Sequence, residues 1–404
     1  MDTVQHNPWL SRYAKFIVVA TLTLILLGCM VTTYCAGMAV ATWPTIHGEM
    51  NPPGWWRNFP VFLEHSHRLL AIGIGVFVGI LCAWVWGNFW ALGVAAIVSG
   101  LSSALARMLS LDGNLAMQLR IWPAAVAFVV FLLFRHRFTW KKISCNQRFA
   151  LVLFGCVCIQ AVMGGYRVTL ETDGNNAVKQ AEALVAKAST APSQEADALR
   201  KVADELGAKA NALYPLATNL RVVHGCFAHF LLVLLVIFAA RLSPVWTELS
   251  VHPHPRADKF RRMAVALLGL YFVQLACAAY LRHKGIGMLI PSWPSAQPGS
   301  LLPVAWSHEV VIHFIHTRIL PVLIAGHVIG MAIGTAKRAA GFPRLTRVGW
   351  ALLALVLVQF TLGVMVIWKT RQPHITNTHV VVGAAFCATA ALYFARAGRL
   401  RATA

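Results

Sequence analysis

Long apolar runs separated by short polar or basic connectors set the pattern of this chain. Ten runs, near 16–36, 62–86, 88–106, 120–135, 148–168, 219–240, 263–282, 308–334, 348–369 and 376–395, predict membrane-crossing helices. Most approach or exceed the roughly 20 apolar residues that cross a bilayer. The first run lacks a small-residue cleavage site and is followed by further apolar spans, so it reads as a retained helix and not a signal peptide. The stretch 171–218 breaks the pattern. It is rich in Ala, Glu, Lys and Asp and carries seven of the chain's 14 acidic residues. Helical stretches near 176–189 and 193–212 flank a Pro-containing turn there. They predict a helical hairpin outside the membrane, read first as a solvated insertion and second as a partner-docking element.

The apolar pattern also repeats. Gly37-Met38-Ala39-Val40-Ala41-Thr42-Trp43-Pro44 is echoed by Gly287-Met288-Leu289-Ile290-Pro291-Ser292-Trp293-Pro294. Each copy follows one span and precedes a His-bearing span. Trp43 lies 24 positions before His67, and Trp293 lies 23 before His316. Gln160-x-x-x-Gly164 is echoed by Gln359-x-x-x-Gly363, and each is followed by a span that opens with a histidine, His224 or His379. Both copies have the same orientation, as in a parallel repeat. The expected architecture is all-α and polytopic, with two pseudo-symmetric four-helix bundles of eight core helices. Residues 1–241 form the N-terminal half and 242–404 the C-terminal half. Residues 88–135 are an added transmembrane hairpin without a counterpart, and 171–218 are the external insertion.

Composition agrees. Of 404 residues, 58% are hydrophobic and 12% charged, too little charge to cover a soluble surface of this size. The net charge of +21 would suggest nucleic acid on a soluble protein, but here its distribution excludes that role. The segments 1–15, 87, 135–148, 241–262, 335–347 and 396–404, assigned to the cytoplasm, hold 19 of 35 Lys and Arg and 3 of 14 acids. That asymmetry follows the positive-inside rule and favours anionic lipid. It predicts a multi-pass protein of the bacterial inner (plasma) membrane with both termini cytoplasmic. Nine Cys are present, with only Cys35 near the outer surface, so no outer disulfide is expected. The absence of Cys-x-x-Cys-His argues against covalent haem attachment. Gly73-x-Gly75-x-x-x-Gly79 lies inside a span and signals close helix packing, not nucleotide binding.

Histidine within hydrocarbon is costly and needs a reason. His67 and His224 lie at similar depth in two spans of the first half. His316 and His379 repeat the arrangement in the second. Each half thus offers one imidazole pair, which suits six-coordinate haem. A zinc or copper site would usually add a Cys or carboxylate ligand, and any single histidine could be a hydrogen-bonded packing residue. Glu64 and His67 are i and i+3 on one helical face. Glu64 is a candidate for proton transfer, against the plainer reading of a helix N-terminal carboxylate. Arg68 suits an anionic propionate, against that of an interfacial anchor. In the second half His313 stands where Glu64 stands in the first, so chemistry is expected in the first half only. His65, His229, His308 and His327 read as interfacial or packing residues, with an additional proton relay as the second reading of His229.

These residues carry a resemblance. Glu64-His65-Ser66-His67-Arg68, the Gly-Met-x-Val-x-x-Trp-Pro loop, Met163-Gly164-Gly165-Tyr166-Arg167-Val168, His224-Gly225-Cys226-Phe227-Ala228, Arg282-His283-Lys284-Gly285-Ile286-Gly287 and Thr378-His379 resemble the haem A synthase family. Their order along the chain is the specific signal; 88–135 and 171–218 fall outside it. The resemblance implies an oxidoreductase that converts haem O to haem A for a terminal oxidase, oxidising a porphyrin methyl group to a formyl group by successive hydroxylations. It implies substrate haem O held between His67 and His224, with Glu64 as catalytic carboxylate. It implies haem b ligated by His316 and His379, with Arg68 and Arg318 as the further cofactor contacts. Haem O synthase, an electron donor and the lipid bilayer are the expected partners. The chain departs from the family at Thr317, which separates His316 from Arg318 and bears on the Arg318 contact. It also lacks the outer Cys pair of many members. A dihaem b-type electron carrier, or a haem or metal transporter, would share the four histidines; the carrier would not need Glu64.

Overall fold

The computed structural model describes residues 7–43, 46, 49, 51–111, 113–134, 143–249, 254–339 and 342–400, with the backbone alone at 113–118, 120 and 247–249. Pro44, both extreme termini and parts of the expected cytoplasmic connectors lie outside the described residues. Ten long helices carry the architecture: α1 (Pro8–Thr33), α2 (Phe59–Trp86), α3 (Trp90–Met108), α4 (Gly113–Phe134), α5 (Cys145–Ala188), α6 (Ser193–Arg241), α7 (Ala257–His283), α8 (His308–Arg338), α9 (Pro343–Trp368) and α10 (Pro373–Arg399). Among the described residues nine are long and apolar enough to cross a membrane, and α4 adds the shorter apolar stretch Ile121–Phe134. No β-strand occurs among them, only two isolated bridges. The protein is an all-α, multi-pass membrane protein.

Local chemistry sets the helix ends. The Asn7 side chain accepts from the amides of Trp9 and Leu10 at 3.0 and 3.1 Å and starts α1. Asn58 caps α2 through the amide of Val61, with Pro60 in the first turn, where its missing N–H costs nothing. Gly87 ends α2 at φ 62°, a conformation that disfavours any Cβ. Ser144 and Gln147 form a reciprocal capping box that starts α5.

The 171–218 segment does not form separate helices. α5 and α6 run on without a break as one long antiparallel pair, turning at residues 189–192. The expected stretches 176–189 and 193–212 are the outer ends of that pair. The reason lies in a small-residue seam: Ala196, Ala203, Ala210 and Ala217 recur every seventh residue and are all buried. Gly174 admits the Tyr214 ring, whose hydroxyl donates to Asn175 Oδ1 at 2.8 Å. A seven-residue apolar repeat keeps one face toward the partner helix along its length.

Two hydrophobic cores follow. One joins α1, α2 and α4–α6 with the start of α3, through residues such as Ile17, Leu81, Phe128, Leu153 and Phe238. The other joins α7–α10 with the end of α6, through Leu267, Val328, Leu352, Phe386 and Tyr393. Between them α1 and α6 pack on α10, and α6 on α7. A polar knot sits at this contact. Arg282 donates to the Cys29 carbonyl at 2.9 Å and to the Thr33 hydroxyl at 2.6 Å, and Thr33 donates to Asn377 Oδ1 at 2.6 Å. Hydrogen bonds of this kind between helices in lipid contribute about 0.6–2 kcal/mol each.

Candidate functional site

One continuous cavity of about 1960 Å³ runs through both helix groups, roughly twice the upper range of ordinary small-molecule pockets. His67, His224, His316 and His379 all line it, as do Glu64 and Arg68. The histidines share a packing arrangement. A Cβ placed on Gly28 would lie 3.0 Å from Cε1 of His67; on Gly164, 3.1 Å from Cε1 of His224; on Gly363, 3.2 Å from Cε1 of His379. Glycine therefore lets three of the four imidazoles press against a neighbouring helix backbone. Gln160 Nε2 lies 3.3 Å from His224 Nε2, and Gln359 Nε2 lies 3.2 Å from His379 Nε2. Gln274 donates to the His316 carbonyl at 3.0 Å.

All four Nδ1 atoms are buried without a hydrogen-bond partner. An uncompensated buried polar atom costs about 1–3 kcal/mol, and four related ones lining one cavity mark a place for a ligand. Among the described residues no group of three or more His, Cys, Asp or Glu is gathered as a metal-ion cage. Two imidazoles per half, without further protein ligands, fit a metal that brings its own equatorial donors. Haem is such a group.

Glu64 and Arg68 are brought together at the rim of the first pair. Arg68 Nη2 donates to Glu64 Oε1 at 2.5 Å, with the residues 6% and 3% exposed. The other carboxylate oxygen accepts from the Val40 amide at 2.8 Å. Arg68 also donates to the carbonyls of Val40, at 2.9 Å, and Thr42. The ion pair thereby ties α2 to the Gly37–Trp43 loop.

The second half solves the same problem with an extra residue. Ile315–Ile319 is a π-helical turn inside α8, the usual way a helix absorbs a single insertion. Thr317 is absorbed there, donating to the His313 carbonyl at 2.7 Å and accepting from Arg318 Nη1 at 2.5 Å. Arg318 then donates to the carbonyls of Ser292 at 2.5 Å and Ser295 at 3.1 Å. In the repeat Ser292 occupies the position of Thr42, so Arg318 reaches the same loop atom as Arg68. His313 takes the place of Glu64 and donates through Nε2 to the Gly287 carbonyl at 3.1 Å.

Several cavity residues were not singled out as site residues from sequence. Arg167 donates to the Gly37 carbonyl at 3.1 Å and pairs with Glu171 at 3.4 Å, and Arg221 pairs with Glu171 at 3.5 Å. Gln160 and Gln359 were visible only as a repeat. His65 stacks edge-on to Trp55, His229 bonds the Gly225 carbonyl while lining the cavity, and His327 bonds the Met263 carbonyl.

Residues 214–391 match the family described as Cytochrome oxidase assembly protein. The match takes in the end of α6 and most of the second half. It contains His224, Arg318, His316 and His379 with the π-turn; Glu64, His67 and Arg68 precede it. The chain is similar to proteins named Heme A synthase. One, from Brucella suis (strain ATCC 23445 / NCTC 10510), is 33% identical over 88 residues, covering 20% of this chain and 25% of that protein. Another, from Bradyrhizobium sp. (strain ORS 278), is 32% identical over 149 residues, covering 32% and 39%. The aligned stretches thus span about a quarter to two-fifths of the length of these curated relatives.

Proposed function

We propose that this chain is a haem A synthase, a membrane oxidoreductase that oxidises one methyl group of haem O to a formyl group. The observation that carries this is two pairs of buried imidazoles with unpartnered Nδ1 atoms lining one cavity, His67 with His224 and His316 with His379, with an acid beside only the first pair. His316 and His379 would hold haem b, and His67 and His224 the iron of haem O. Haem when bound supplies the redox chemistry; the chain supplies the rest. The glycines at 28, 164 and 363 fix imidazole position. The helix packing excludes water. Glu64 handles a proton beside the first pair, and Arg68 holds its carboxylate against the Val40 amide and offers a cationic edge to a propionate. In the second half Arg318 has no carboxylate partner among the described residues; it holds the Ser292–Ser295 loop and lines a small separate pocket beside Trp293 and Phe314, not the shared cavity, so its proposed cofactor contact rests on the repeat alone.

The reading places residues 1–241 and 242–404 as the two functional halves. The basic connectors support cytoplasmic termini in a bacterial inner membrane. The product would serve a terminal oxidase, with a haem O synthase supplying substrate and a separate donor supplying electrons. Co-expression with a haem O synthase, followed by mass analysis of extracted haems, tests it. Wild type is expected to yield haem A, and Glu64→Ala to accumulate haem O or a hydroxylated intermediate. Unchanged haem O from well-folded wild type would reject the reading and favour a dihaem electron carrier.

A further inference from the structure

The cavity is not symmetric between the halves. On the first-half side it extends past His67 into a space between α2 and the added hairpin, lined by Gly75 and Gly79 of α2, Ala95 and Ser99 of α3, and Ala124 and Ala125 of α4. The hairpin helices pack chiefly on each other and touch α2 only lightly along the backbone, with Phe128 closing the far wall against Phe154 at a ring separation of 4.8 Å. The small side chains are what keep this arm open. A Cβ at Gly79 would meet only Leu92 at 3.8 Å and Phe154 at 3.9 Å, and one at Gly75 only Val157 at 3.8 Å.

Among the described residues the second half has no counterpart at this position; its additional space is a separate pocket of about 360 Å³ beside Trp293, Phe314 and Val322. Counting from Arg68 and Arg318, Gly75 corresponds to Ala325 and Gly79 to Ile329. Ile329 is exposed on the outer face of α8, where no added hairpin covers it. The two halves thus differ in the shape of their ligand space as well as in Glu64. The two haems differ in the same sense: haem O carries a hydroxyethylfarnesyl group where haem b carries a vinyl group.

We infer that the added hairpin α3–α4 builds an apolar subsite opening from the first imidazole pair, and that this subsite takes the isoprenoid tail of the substrate haem. The inference rests on the proposed haem O reading. The tail is long, flexible and entirely apolar beyond its hydroxyl. A channel walled mostly by Gly, Ala and Phe, with the Ser99 hydroxyl as a polar exception, gives it a largely apolar environment with few hydrogen-bonding demands. The subsite also accounts for selectivity, because a haem without the tail leaves the arm unfilled.

Spectral titration of haem O and haem B into the full-length protein, with the second-half site already loaded, tests this. Gly79→Leu, and separately Ala124→Leu on the opposite wall, fill the arm. Wild type should bind haem O more tightly than haem B. Each variant should lose about tenfold or more in haem O affinity, the loss expected when two or more methylenes are kept out of an apolar site. Haem B affinity should stay at the wild-type value, which also reports that the variant is folded. Equal haem O binding by wild type and both folded variants would overturn the subsite and leave the synthase reading intact. So would a phospholipid retained in the arm while haem O is bound. Failure of wild type to bind haem O in the first half would overturn both.

Discussion

Arg318 donates to the carbonyl oxygen of Ser292 at 2.5 Å. Arg68 makes the corresponding bond to Thr42 in the other half. Trp43 and Arg68 are 25 positions apart, as are Trp293 and Arg318, whereas the two Trp–His distances differ by one. The register of the arginine is therefore the one kept, and the π-turn at Ile315–Ile319 takes up the difference.

Deleting Thr317 should convert this turn to regular α-helix and keep the Arg318–Ser292 bond, because it restores the His-Arg adjacency of the first half. Arg318→Ala should instead leave the Ser292 carbonyl short of a donor, while the Ser295 carbonyl keeps the Ser292 hydroxyl at 2.8 Å, and cost about 1–3 kcal/mol. Thermal unfolding in detergent of both variants checks this. A deletion more damaging than Arg318→Ala would show that Thr317 itself holds the segment.

Arg68→Ala strands the Glu64 carboxylate in a buried site. A loss of roughly 3–5 kcal/mol is expected for breaking one side of such a pair. Adding Glu64→Gln should recover part of that loss, since the two residues interact directly and their effects are not additive. A double-mutant cycle on unfolding free energy measures the recovery; simple additivity would contradict the pairing.

Gly363→Ala places a methyl group 3.2 Å from His379 Cε1, closer than ordinary contact. The imidazole must shift, and haem content of the second half should fall. Gly269→Ala on α7 meets nothing within 4 Å and serves as the control with unchanged haem content. Pyridine haemochrome assay per mole of protein compares them.

Ala203→Leu in the outer part of α6 should overpack the α5–α6 seam and cost about 1–3 kcal/mol. Haem content should remain at wild-type level, because the site lies on the transmembrane part of the helices. Loss of haem in a folded variant would mean that the outer pair is coupled to the site.

Much of this was legible in the sequence. The spans followed from apolar run length, and the four histidines stood out because hydrocarbon makes each one expensive. Four features were not legible. The continuity of α5 and α6 past residue 170 depends on Ala196, Ala203, Ala210 and Ala217 meeting a partner helix, and alanine's small apolar area gives a weak periodic signal. The Glu64–Arg68 pair was read as two separate contacts because the i, i+4 spacing permits pairing without requiring it. The π-turn was present only as a one-residue mismatch between repeats, whose structural resolution depends on the loop carbonyl that Arg318 reaches. The cavity arm under α3–α4 could not be inferred from spacing, since it depends on how far the hairpin stands from α2.

The most direct test of the two-pair account is haem stoichiometry and optical spectrum of the purified protein, made with haem O supplied, for wild type, His67→Ala and His379→Ala. The account predicts one haem per half in wild type. His67→Ala should lose the first-half haem and keep the second, and His379→Ala should do the reverse, each with the remaining spectrum unchanged. Loss of the same single haem in both variants, or no haem in well-folded wild type, would contradict it.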